Sequence, residues 1–192
     1  MPDEHLSIHW MLCGDAHNYS DLCRVLDGER GLSLAGTVHA TEDGAPHELR
    51  YEVRTDSRCR TESVTISRLW PGPHLEMRLA RDHDGRWRRD SQPLDGFDGC
   101  IDVDLGFTPA TNTLPIRRLD LGIGERREIE VLWVLFPELS LQRGGQTYER
   151  IADDRYAYSS GDFRAELKVD GRGLVLDYEG LWRAVASPEP RG

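Results

Sequence analysis

Residues 32–54, LSLAGTVHATEDGAPHELRYEVR, decide the fold class of this chain. Apolar and polar residues alternate on both sides of Asp43-Gly44, as expected of two strands that each have one buried and one wetted face. The Asp-Gly pair readily supplies the positive φ that a tight hairpin turn requires. The stretch therefore predicts an antiparallel β-hairpin whose inward-facing residues are Leu32, Leu34, Gly36, Val38, Leu49, Tyr51 and Val53.

The same period of two recurs along most of the chain. It is clear in residues 75–79 and 163–169, and three further Asp-Gly pairs each stand between two strand candidates. About a dozen strands, joined largely as a meander, predict an all-β fold with little helix. We expect one long, strongly curved antiparallel sheet that forms an open or half barrel, because a flat sheet of that size would leave exposed edges. The best short helix candidate is residues 180–186.

One strand candidate departs from this alternation. Residues 129–136 begin amphipathic and are apolar on both faces from Val131 onward. A strand that is apolar on both faces needs cover on both sides. Either a second layer packs on it, or the sheet curls until the strand lies centrally.

Length and charge narrow the possible classes of protein. The 192 residues predict a single all-β domain over residues 1–186 and a disordered C-terminal tail over residues 187–192. A formal net charge of −10, with dispersed arginines, argues against nucleic acid binding and against lying on an anionic bilayer. The first twenty residues lack the pattern of a signal peptide, and no segment is suited to membrane insertion, so we expect a cytoplasmic protein. A monomer or a dimer is expected.

The cysteines and histidines do not predict a metal site. Four cysteines are scattered without a CxxC pair and are expected to be reduced core residues. His5 and His9 have the spacing of metal ligands on a helix, but their segment is predicted to be extended. The chain has no P-loop, HExxH or G-x-S-x-G motif, so the sequence predicts no cofactor and nominates no catalytic residue.

Two aspartates, Asp102 and Asp104, lie on one face of a predicted strand and are followed by Arg117 and Arg118. One interpretation is a divalent metal site, because hard carboxylate oxygens bind hard cations. Enzymes that use such an acidic pair normally have an α/β nucleotide-binding half, which the strand pattern here lacks. We favour structural ion pairs between the aspartates and the arginines, which would meet across adjacent strands and pin the loop at 108–115.

Aromatic residues are candidates for lining a ligand pocket. Trp133 lies on the strand that is apolar on both faces, and Tyr148 and Tyr156 lie on the strands that follow. Their rings can stack on sugars or pack against alkyl chains, while tyrosine hydroxyls fix polar head groups. For any single ring we favour ordinary core packing and cross-strand pairing, because aromatic residues are common in strands.

Residues 100–119, CIDVDLGFTPATNTLPIRRL, are specific enough to indicate a family. They resemble the TP-x-TN-TLPIRRL signature of a bacterial family named for glycolipid binding, and a weaker likeness covers most of the chain. The resemblance implies a curved antiparallel sheet similar to those of bacterial lipoprotein carriers, and it brings no established catalytic residues. It nominates Thr111, Asn112, Arg117 and Arg118 as possible ligand-binding residues. Cys59 stands where the resemblance leads us to expect an aromatic residue.

Three functions stay open. The leading one is non-catalytic binding of an amphiphile, a glycolipid or other lipid, in the concave face of the curled sheet. Such a sheet has more apolar face than a compact domain with little helix can easily cover from within. The first alternative is a hydrolase or lyase acting on a sugar- or lipid-containing metabolite, and the second is a structural or interaction module without a ligand. The residues nominated for binding are Thr111, Asn112, Arg117, Arg118, Trp133, Tyr148 and Tyr156.

Overall fold

One large sheet is the framework of the protein in the computed structural model, which describes residues 4–13 and 19–187. A turn of 3-10 helix, Ala110–Asn112, leads into one short α-helix, α1, Thr113–Leu119. The strands are β1 Glu4–Leu12, β2 Ser20–Gly28, β3 Gly31–Glu42, β4 Ala45–Thr55, β5 Thr61–Trp70, β6 Leu75–Arg81, β7 Trp87–Arg89, β8 Gln92–Pro93, β9 Asp102–Leu105, β10 Arg126–Leu135, β11 Ser140–Ala152, β12 Arg155–Ser160, β13 Phe163–Val169, β14 Val175–Tyr178 and β15 Trp182–Ala186.

The order of strands in the sheet almost follows the chain. From one edge, β8 to β1 come in reverse order and β15 to β9 continue, so that β1 and β15 are neighbours in the middle. Neighbouring strands are antiparallel except for β9 and β10, which are parallel. The predicted all-β fold with one curved sheet is confirmed, with fifteen strands among the described residues rather than about a dozen, and the sheet is not closed into a barrel.

The hairpin predicted over residues 32–54 forms as expected. β3 and β4 pair so that Gly36 lies opposite Tyr51, and Asp43 and Gly44 turn the chain with φ values of 50° and 76°. Glycine is required at position 36 because a Cβ there would come within 2.4 Å of the Tyr51 ring. The inward-facing residues of the hairpin are buried, as the alternation indicated.

The end of the sheet that carries β9 and β10 packs against strands from the other end. The backbone N–H of Val103 donates to the Thr61 hydroxyl on β5 at 3.2 Å, and the Cys100 carbonyl accepts from the Trp87 indole on β7 at 2.9 Å. Side chains on both faces of β10 are therefore buried or half-buried from Val131 onward. Of the two explanations for the apolar run at 129–136, the curl of the sheet is the one that the fold supports.

The connection between β9 and β10 covers the concave face. Two parallel strands need a crossover connection, which here consists of the 3-10 turn and α1. Residues 107–116, which we call the central segment, are all buried. The Phe107 ring packs edge-on against Tyr51, with ring centroids 6.2 Å apart. The prediction of a concave face left open for a ligand is wrong, because the chain itself fills that face.

Two local predictions are also wrong. Residues 116–119 end helix α1 instead of forming a strand; Pro115 is compatible with this helix because it lies in the first turn, where its missing N–H has no intrahelical partner. The helix candidate at 180–186 contains β15, because pairing with β1 and β14 decides its conformation. Residues 188–192 of the predicted tail lie outside the described residues. Within the described ranges, no helix is long and apolar enough to cross a membrane.

Candidate functional site

A buried carboxylate, Asp21 on β2, anchors the central segment. Its Oδ2 accepts hydrogen bonds from the Thr108 hydroxyl at 2.5 Å and from the Tyr51 hydroxyl at 2.7 Å. Its Oδ1 has no hydrogen-bond partner among the described residues. Burial raises the pKa of Asp21 to about 6, against the lowering effect of the two hydroxyl donors. This arrangement fixes the segment to the sheet and gives a ligand no visible access.

A second enclosed network joins the central segment to β9 and β11. Gln146 donates to Asp104 at 2.5 Å, and the Tyr148 hydroxyl donates to the Asn112 side-chain oxygen at 2.8 Å. The Thr111 hydroxyl accepts from the backbone N–H of Leu105 at 3.2 Å. Burial raises the pKa of Asp104 to about 6, because the amide and hydroxyl donors only partly offset desolvation.

The two arginines at the end of α1 pair with different parts of the sheet. Arg118 holds Asp102 of β9 with a fork of hydrogen bonds, the shortest being 2.6 Å from Nη2 to Oδ2. Arg117 pairs with Asp27 of β2 at 2.7 Å. Asp104 bonds with Gln146 rather than with an arginine, so the expected ion pair of Asp104 is wrong. Consecutive helical residues point about 100° apart, which sends the two guanidinium groups to separate strands.

The seven residues nominated for ligand binding are not brought together at one open site. Thr111, Asn112, Tyr148 and Tyr156 are buried. Trp133 is half-buried, and its ring fits closely over Gly106, where a Cβ would come within 2.9 Å of the indole nitrogen. Arg117 is partly buried in its ion pair with Asp27, and Arg118 lines a groove that is described below. A ligand-binding role for these residues stays a prediction.

Described residues at one end of β1 to β5 form a more accessible site, which we call the end groove. It has a volume of about 540 Å³, within the usual range for small-molecule sites. One row of its residues crosses five adjacent strands at paired positions. The residues of that row are Met11, Ser20, His39, Glu48 and Trp70, and the groove is completed by Leu12, Tyr19, Ala40, Thr41, Pro46 and His47.

Trp70 gives the end groove its character. Its side chain is 54% exposed, although most other aromatic residues of this sheet are buried. The His47 ring packs edge-on against Phe136 at 5.0 Å between centroids, and its Nδ1 has no hydrogen-bond partner among the described residues. The Tyr19 hydroxyl donates to Glu42 at the margin of the groove. The groove thus combines an exposed indole ring, apolar side chains and polar side chains such as His39 and Glu48.

Sequence reasoning did not single out Trp70 because strict alternation assigns it to the wrong face. Residues 64, 66, 68 and 70 share one face of an ideal strand, and Val64 and Ile66 are buried. The pairing shifts between Leu49–Arg68 and Glu48–Trp70, which leaves one extra residue in β5. Such a β-bulge re-aims the side chain that follows it.

Comparison with known proteins indicates a family. The family model described as "Putative glycolipid-binding" matches residues 8–184. The crystal structure of a DUF1089 family protein from Pseudomonas aeruginosa is similar to this chain, with 30% sequence identity and a TM-score of 0.78. The match covers 89% of this chain and 93% of that one. No protein with a curated description matches the sequence.

Proposed function

This chain belongs to the family described as "Putative glycolipid-binding", and on that premise we propose that it binds a glycolipid in the end groove. The observation that carries the proposal is the half-exposed indole of Trp70 in a groove with one apolar and one polar side. Binding is proposed as non-catalytic. The location replaces the concave face of the sheet, which the central segment fills.

The polar side of the end groove suits a sugar. The apolar face of a pyranose ring can pack on the indole of Trp70, since aromatic rings offer a large flat surface. Glu48 and His39 are opposite each other on β4 and β3 and next to Trp70, and they offer hydrogen-bonding groups for hydroxyls. His47 contributes to the wall of the groove, with its ring packed against Phe136.

The apolar side of the end groove suits the first part of an alkyl chain. Met11 and Leu12 from β1, together with Ala40, supply aliphatic surface beside the aromatic ring of Tyr19. Met11 is half-exposed, so covering it with an alkyl chain removes apolar surface from water. Burying four methylenes would contribute about 3 kcal/mol before the cost of association.

Calorimetric titration with a short-chain glycolipid, octyl glucoside below its critical micelle concentration, tests this proposal. We expect saturable binding to the wild-type protein and at least about tenfold weaker binding to Trp70→Ala, because the stacking surface is lost. Glucose alone and octanol alone should each bind more weakly than the glycolipid, because each fills only one side of the groove.

The matched control is Phe163→Ala, which removes another exposed aromatic ring, 42% exposed, that does not line the end groove. This variant should bind octyl glucoside like the wild type. Equal affinities for Trp70→Ala and Phe163→Ala would contradict the end groove as the site. Absence of saturable binding to the wild type, together with absence of co-purified lipid in native mass spectrometry, would contradict glycolipid binding itself.

A further inference from the structure

A second groove lies beside α1 and the start of β10, and we call it the edge groove. It has a volume of about 670 Å³. Its walls combine aliphatic side chains with two arginines, Arg118 and Arg127. The lining residues are Gly99, Ile101, Arg118, Leu119, Arg127, Glu128, Ile129, Glu130, Gly145, Gln146 and Thr147.

The two glutamates that line the edge groove are already paired with arginines. Glu128 is bound by Arg126 at 3.1 Å, and Glu130 is bound by Arg143. Below the groove, Asp102 is bound by Arg118. Each of these pairs has no net charge.

Arg127 is left as the unmatched charge of the edge groove. Its side chain is exposed and donates to the backbone carbonyl of Arg126 at 2.8 Å, and no carboxylate among the described residues pairs with it. Of the four charged residues that line the groove, Arg118, Glu128 and Glu130 are in ion pairs and Arg127 is in none among the described residues, although the whole chain carries a net charge of −10. A guanidinium that has no carboxylate partner and lines a groove can bind an anionic group of a ligand.

Arg118 is held in a fixed orientation at the edge groove. Its Nε and Nη2 bind Asp102, so that the N–H groups of Nη1 are left for another acceptor. The side chain is only 14% exposed, and its partner Asp102 is buried. A guanidinium that is already oriented loses less entropy when it binds an oxygen anion than a free surface arginine does.

The free edge of β10 adds backbone groups to the edge groove. β9 pairs with β10 only over residues 131–134. Among the described residues, no strand pairs with that edge of β10 at residues 127–130, although β11 pairs with the other edge. Backbone N–H groups on an uncovered edge are available to bind an acceptor.

We propose that the edge groove binds a phosphate group of a small ligand, held by Arg127, Arg118 and the free edge of β10. A tetrahedral phosphate presents oxygens in several directions, which matches donors that come from a helix, a strand edge and a separate side chain. The site is independent of glycolipid binding in the end groove. The phosphate can belong to a free phosphate ester or to a lipid head group.

Calorimetry at low ionic strength with two probes, inorganic phosphate and monomeric dihexanoyl phosphatidic acid, tests the edge groove. We expect saturable binding, at least about tenfold weaker in Arg127→Gln, because a charge-assisted hydrogen bond is lost. Arg127→Lys should keep part of the affinity, and Arg24→Gln, an exposed arginine of β2 with the same loss of charge, should bind like the wild type. Thermal melts should show that all three variants are folded.

The pattern of affinities distinguishes the sources of the phosphate. Equal affinity for both probes supports a site for the phosphate group alone, and tighter binding of the lipid probe supports a head-group site. The proposal is overturned if neither probe binds the wild type, or if Arg127→Gln and Arg24→Gln weaken binding equally. It is also overturned if binding of the lipid probe is lost in Trp70→Ala but kept in Arg127→Gln.

Discussion

The concave face and the end groove belong to the same sheet, but the chain itself fills the first and leaves the second accessible. On the concave face, buried apolar residues of the strands and of the central segment form one core, and Asp21 accepts a hydrogen bond from the hydroxyl of Thr108 in that segment. In the end groove, Trp70 is half-exposed and His47 has an unpartnered ring nitrogen. Curvature of a sheet therefore does not by itself make a binding cavity: the crossover connection fills this one, and the strand ends are left for a ligand.

Mutations in these two surfaces should affect different properties of the protein. Changes in the concave face should reduce stability, because its groups are packed or bonded to one another. Changes at exposed residues of the end groove, such as Trp70, should alter binding with little effect on stability, because these side chains face water. Stability measurements on variants of the concave face test that separation.

The largest effect is expected for Phe107→Ala in the central segment. Phe107 is buried and packs against the rings of Tyr51 and Phe136. Its loss should reduce the free energy of unfolding by about 3–5 kcal/mol, since it leaves a cavity that the sheet cannot fill. Urea denaturation measures this loss. A change below about 1 kcal/mol would contradict the role of the segment as core, with the exposed Phe163→Ala as the control.

A smaller effect is expected for the ion pair of Arg118 with Asp102. Removing either side chain leaves its partner largely buried and uncompensated, which should cost about 2–3 kcal/mol. A double-mutant cycle with Arg118→Ala and Asp102→Ala should give a coupling free energy above about 1 kcal/mol.

A second double-mutant cycle, with Arg117→Ala and Asp104→Ala, is the control for the cycle of Arg118 and Asp102. These residues have different partners, Asp27 and Gln146, so their stability losses should add. Strong coupling between Arg117 and Asp104, or none between Arg118 and Asp102, would contradict the pairing described above.

The smallest of these stability effects, and the one of opposite sign, is expected for Asp21→Asn. The pKa of Asp21 is about 6 in the fold, above its ordinary value of 3.8. The neutral carboxyl therefore stabilises the fold below about pH 4, and this contribution is lost as the pH rises through 6. At pH 7.5 the amide variant, which cannot ionise, should be more stable than the wild type by about 1–3 kcal/mol.

Urea denaturation at pH 4.5 and pH 7.5 checks the sign of this effect. The advantage of Asp21→Asn should be much smaller at pH 4.5, where the wild-type carboxyl is already mostly neutral. Asp162→Asn, on an exposed turn, should change stability little at either pH. A variant Asp21→Asn that is less stable than the wild type at pH 7.5 would show that the ionised carboxylate supports the fold.

The sheet was predictable because the alternation of apolar and polar residues within a strand shows which of its side chains face inward. In residues 32–54 the alternation and the Asp-Gly turn together specify the pairing of β3 with β4, and no distant contact is needed to infer it. The strand at 129–136 was also predicted to need cover on both faces. What the pattern could not specify was which part of the chain supplies that cover.

The central segment shows why the remainder was not predictable. Helix α1 has seven residues, too few to display the 3.6-residue apolar stripe by which helices are recognised. The partner of Arg117 lies 90 residues away in Asp27, a distance that no local pattern encodes. Trp70 faces outward because of one extra residue in β5, which sequence alternation does not show. Each of these features depends on how strands pair and which distant segments meet, and short sequence patterns do not specify either.

Mapping where a glycolipid binds on the wild-type protein tests the end groove most directly. Backbone amide chemical shifts can be followed by NMR while octyl glucoside is added below its critical micelle concentration. If the glycolipid binds in the end groove, the largest shifts should occur at the ends of β1 to β5 and in the indole N–H of Trp70. Saturable shifts concentrated in the central segment and around Tyr148, with Trp70 unchanged, would contradict binding in the end groove.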